Sequence, residues 1–162
     1  MNWEAIGALS ELVGATAVVV TIGYLTLQVR QQTVAVRSAS YQSSTDALIQ
    51  INIAIATDPE LLRVVSSKPA SLDELSTEDR YRYSYVLLSL FRVRETIFYQ
   101  RDEGTTASQS WIREEITSRK NLESTGVRDW WKTVEYGFAP EFKEYIDGVV
   151  AQIDNSIDAD GQ

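Results

Sequence analysis

The strongest constraint in this chain lies near its amino terminus, where Glu11 is the only charged side chain between residues 5 and 29. As a helix rising about 1.5 Å per residue, that segment is roughly 37 Å long, enough to cross a hydrocarbon core of about 30 Å. Trp3 and Tyr24 would lie about 31 Å apart along such a helix, one aromatic near each interface. The run Val18-Val19-Val20-Thr21-Ile22 is poor for a short helix in water but ordinary in lipid, where the backbone must satisfy itself. The segment lacks the basic start of a cleaved leader, and its apolar stretch is too long for one. Positive charge follows it at Arg30 and Arg37, so residues 1–30 are expected to anchor the chain once, with the C-terminal body in the cytoplasm. The competing reading is a core helix of a soluble protein, because Glu11 interrupts the apolar run.

Small residues mark one flank of this helix. Gly7, Gly14 and Thr21 recur every seven positions, with Ser10 and Ala17 between them, a pattern that lets helices approach closely in lipid. Glu11 borders the stripe. It either sits near headgroups, or it joins Gln28 in lining an interface between copies or a pore. An apolar seven-residue series continues from Ile6 through Val13, Val20, Leu27, Val34, Tyr41 and Leu48 to Ile55, half of a coiled-coil seam. Neither proline nor glycine interrupts residues 24–57, so a helical stalk is expected over 31–57, or else a separate helix over 33–57 folded back into the body.

The body, expected over 58–155 as a bundle of helices, opens at Asp58-Pro59-Glu60, an N-cap followed by proline and an acid in the first turn. A second helix is predicted from Ser76 or Thr77 to about Asp102. Its apolar residues form two faces, one with Tyr83, Val86, Leu87, Leu90, Val93 and Ile97, the other with Tyr81, Tyr85, Leu88, Phe91 and Phe98, which is the pattern of a central helix. Arg92, Arg94, Glu95 and Arg101 would then lie in or near the core, with Glu95 paired to Arg92 at i−3 or to an arginine of another helix, as a structural ion pair. After a break at 103–106, a helix over 107–122 should face inward through Trp111, Ile112, Ile116 and Leu122. Trp130, Trp131, Phe138 and Phe142 are expected to close the core, because aromatics bury the largest areas. Residues 156–162 read as a flexible acidic tail. The fold class expected is therefore all-α.

Composition narrows the chemistry. The chain has no cysteine and no histidine, which removes thiolate metal sites, thiol nucleophiles and the usual general base near neutral pH. A formal charge of −8 disfavours nucleic-acid partners. No phosphate loop is present, adjacent Glu114 and Glu115 point about 100° apart on a helix, and the Asp-rich tail lacks the terminal glutamate of a calcium loop. No cofactor and no metal are expected.

The segments WEAIGALSELVGATAVVVTIGYLTLQVRQQT, RETIFYQRDEG, GVRDWWK and FAPEFKEYID resemble a family of uncharacterised small bacterial proteins from marine and other Gram-negative genomes. The resemblance spans nearly the whole chain. It implies a membrane-associated helical protein and no active site. The expected function is an inner-membrane interaction or scaffold module that contacts lipid, assembles with its own copies and engages a membrane or cytoplasmic protein partner. A cation-preferring oligomeric pore is the alternative. A carboxylate-based enzyme, with Glu95 as its best candidate, comes third.

Overall fold

The computed structural model describes residues 3–102 and 108–160. Within them the chain forms six α-helices and no strand. They are α1 (Trp3–Thr57), α2 (Pro59–Ser66), α3 (Thr77–Asp102), α4 (Ser108–Leu122), α5 (Thr125–Val134) and α6 (Pro140–Asp160). Short 3₁₀ turns at Leu72–Glu74 and Glu135–Gly137 join α2 to α3 and α5 to α6. The all-α expectation holds. The break expected at 103–106 lies outside the described residues.

α1 is one uninterrupted helix of 55 residues, which removes the separate folded-back helix over 33–57. The chain divides into two compact units, Met1–Ala39 and Ser40–Gln162, so the segment read as a stalk straddles a boundary. The seven-residue apolar series becomes half-buried only past that boundary, since Tyr41 is still exposed. Val13, Val20, Leu27 and Val34 are exposed, whereas Leu48 and Ile55 are half-buried. Ser44, in the second unit, is buried and donates to Gln100 of α3 at 3.4 Å.

The second unit contains the core. Asp58 caps α2 as expected, its Oδ1 accepting from the N–H groups of Glu60 (2.9 Å) and Leu61 (3.1 Å). α3 runs against α2 and α4, and α4 against α5 and α6. Phe91, Trp130, Trp131, Phe138 and Phe142 meet at the centre, with ring centroids 5.0 Å apart for Phe91–Trp130, 5.4 Å for Phe91–Trp131 and 5.0 Å for Trp131–Phe138. Phe98 continues the cluster onto Phe142 at 5.6 Å. The reason is area: each aromatic buries far more apolar surface than an aliphatic, so five of them organise a domain this small.

Three expectations are corrected. Tyr85 is not a core aromatic: it is 66 % exposed, and Tyr81 beside it is 62 % exposed. Both lie near the start of α3, on a side that no other element covers, whereas Phe91 and Phe98 farther along meet α5 and α6. Ile112 and Ile116 of α4 also face outward, because α4 turns Ser118 and Leu122 inward instead, together with the largely buried Glu114. Finally, α6 continues through Asp160 rather than fraying after residue 155. The side chain of Trp111 lies outside the described residues.

Candidate membrane helix and the polar contacts of the body

Along the helix of the first unit the described side chains are exposed. Leu12, Val18, Val19, Ile22, Leu25 and Val29 are all exposed, although they point in different directions around the axis. By length and composition α1 is able to cross a membrane. Its threonine hydroxyls are satisfied locally. The hydroxyls of Thr16, Thr21 and Thr26 each donate to the carbonyl four residues back, Leu12, Ala17 and Ile22 respectively, at 2.8 Å. Such back-bonding leaves no free hydroxyl hydrogen to desolvate when the helix enters an apolar medium.

The small-residue flank is open. A Cβ added at Gly7 or Gly14 would meet no atom within 4 Å. Ala17 and Thr21 are exposed, as are Glu11 and Gln28. Among the described residues Glu11 has no ion pair. The side chain of Ser10 lies outside the described residues.

In the second unit, the expected Arg92–Glu95 pair forms at 2.8 Å. Its role is to hold a loop. Arg92 also donates to the Gly137 carbonyl at 2.8 Å and lies 4.5 Å over the Phe138 ring. The other Glu95 oxygen accepts from the Ala139 N–H at 2.8 Å, just ahead of α6. Both carboxylate oxygens are thus committed to the fold, which takes from the enzyme reading its best candidate.

Sequence reasoning missed a second pair. Arg94 is only 4 % exposed and donates from Nε to Glu114 at 3.0 Å. Burial pulls the pKa of this guanidinium down, and the Glu114 charge opposes that. The pair explains the orientation of α4: a buried cation needs a carboxylate, so α4 presents Glu114 to the body and leaves two isoleucines outside. Tyr145 on α6 faces the same region. Burial, reinforced by the Glu115 charge, pushes its phenol up to about 12. Two further carboxylates fasten the core's edge. Asp147 accepts from Trp131 Nε1 at 2.9 Å and pairs with Lys143. Asp129 accepts from the Ser71 hydroxyl at 3.2 Å, tying α5 to the loop before α3. Lys143 and Asp147 are an i,i+4 pair, but the other partners are not visible from local spacing, because each joins residues at least sixteen positions apart. Among the described residues no group of three or more carboxylates is placed to hold a metal ion.

The chain was compared with family models, curated proteins and solved structures, and none of the three comparisons yielded a match.

Proposed function

We propose that this chain is a single-pass anchored interaction module of the bacterial inner membrane. Its N-terminal helix sits in the bilayer and associates with copies of itself, while the helical body serves as a cytoplasmic docking unit for a protein partner. One observation carries the reading: the described apolar side chains of the first unit are exposed on all sides of the helix. Hydrating a Val, Leu or Ile that could be buried forgoes about 1.5–3 kcal/mol each. A series of such residues demands lipid or protein around it.

Self-association follows from the flank. In lipid no hydrophobic drive joins helices, so close backbone approach at Gly7, Gly14, Ala17 and Thr21 supplies the contact. The protein purified in mild detergent should run as an oligomer by light scattering, and Gly14→Ile should shift it toward monomer. A strictly monomeric wild type defeats the self-association. Exposed, unpaired Glu11 favours a second arrangement, in which the same flank rings a cation pathway with Gln28. Liposome flux that changes on Glu11→Gln supports it; no flux from wild-type protein removes it.

A further inference from the structure

The second unit holds a cavity of about 620 Å³, within the usual range for small-molecule sites. Its floor is one stripe of α3, formed by Val86, Leu87 and Leu90, with Val127 of α5 beside it. Its rim is different in character. Lys68 comes from the loop after α2, Lys120 from the end of α4, Glu123 from the turn after it, and Ser124 from the start of α5. Neither lysine makes an ion pair among the described residues, in a chain with 23 acidic and 15 basic side chains. An unused pair of ammonium groups at one opening is therefore notable, because carboxylates to neutralise them are plentiful elsewhere.

The wall is built to bring Lys68 there. Lys68 has φ of 45°, in the left-handed region that side-chain-bearing residues rarely adopt. The loop that follows is clamped: the Ala70 N–H donates to Glu74 at 3.0 Å, and Ser71 donates to Asp129. Gly126 completes the clamp, because any Cβ there would collide with the Pro69 carbonyl oxygen. Only glycine lets the first turn of α5 abut this loop. Ser124, which opens α5, makes no side-chain capping bond, so the first amides of the helix add to the positive potential at the rim.

We propose that this cavity binds a singly charged anionic amphiphile of the fatty-acid carboxylate class, its head between Lys68 and Lys120 and its tail along Val86, Leu87 and Leu90. Two lysines against Glu123 leave one net positive charge, which matches a carboxylate rather than a doubly charged phosphate. The apolar floor distinguishes the ligand from a free inorganic anion. The inference is independent of the membrane reading, since every lining residue belongs to the body.

The test uses the full chain in lipid nanodiscs with octanoate as the probe, read by lysine acylation footprinting and mass spectrometry. Octanoate should protect Lys68 and Lys120 while leaving Lys132, exposed and outside the cavity, unchanged. Octyltrimethylammonium, with the same tail and opposite charge, should protect neither. Inorganic phosphate should protect neither at matched concentration. Lys68→Gln with Lys120→Gln should weaken octanoate binding about tenfold by titration, the loss of charge-assisted contacts. Leu90→Trp, which fills the floor and keeps both lysines, should block it. Protection of all three lysines alike, protection by phosphate alone or by the cation, or unchanged titration in the double variant overturns the proposal.

Discussion

Two long helices in this chain carry apolar side chains around more than one face, and they meet opposite surroundings. In the first unit the described apolar side chains are exposed around the whole helix. In α3 the same kind of distribution is sorted by position. Tyr81 and Tyr85 stay outside, while Phe91 and Phe98 are sealed beneath α5 and α6. α3 also carries arginines, and two of them are answered by carboxylates within the fold: Arg92 pairs with Glu95, and Arg94 with Glu114. The early part of α1 has no such polar network. A helix that is apolar on every side is long and apolar enough to suit a bilayer, whereas one that mixes aromatics with charges needs protein neighbours chosen residue by residue.

The contrast can be broken most severely at the core. Trp130→Ala should destabilise the body by about 3–5 kcal/mol, measured by denaturant unfolding, since it removes the largest fully buried ring. If the two regions are physically distinct, that variant should still fractionate with membranes. Val19→Arg makes the reverse test. It should disfavour insertion by about 2.5–3.5 kcal/mol and reduce membrane recovery, yet leave the unfolding of the body unchanged. A body that unfolds at lower denaturant in that variant contradicts the separation.

Alkaline titration sharpens the comparison within the body. The Tyr145 phenol titrates at about 12 when folded and near 10 when unfolded, and burial also raises Tyr83. The unfolded chain therefore loses these protons first. The contribution of these two groups should be constant below about pH 10 and fall as pH rises toward 12. Tyr145→Phe should flatten part of that decline, as followed by circular dichroism. The smallest effect belongs to the exposed end of α3. Tyr85→Ala should change stability by no more than about 0.5 kcal/mol, against several for Phe91→Ala, because only the latter leaves a cavity.

How much of this was legible in the residues depends on the range of the interaction. The helix start at Asp58-Pro59, the bounds of α2 and α3, the Arg92–Glu95 pair and the burial of Trp130, Trp131, Phe138 and Phe142 all follow from short spacing or sheer apolar size. Tyr85 misled because its periodicity is as good as that of Phe91. Periodicity says which face a residue occupies, not whether a neighbour covers that stretch of the face. The inward turn of α4 was hidden for a related reason: Ile112 and Ile116 outrank Glu114 and Ser118 by hydrophobicity, but not once Arg94 is buried opposite.

Local order thus belongs to the sequence alone: six helical segments, a largely apolar beginning whose only charged side chains over the first twenty-nine residues are Glu4 and Glu11, and no thiol or imidazole chemistry. These depend on backbone propensity, capping and composition, which act over a few residues. Tertiary structure decided the rest. It placed Glu114 against Arg94, left Tyr81 and Tyr85 outside, buried Ser44 of α1, and gathered Lys68 and Lys120 at one cavity. Those outcomes depend on desolvation and charge pairing between residues distant in the chain, whose energies exist only once the helices are packed.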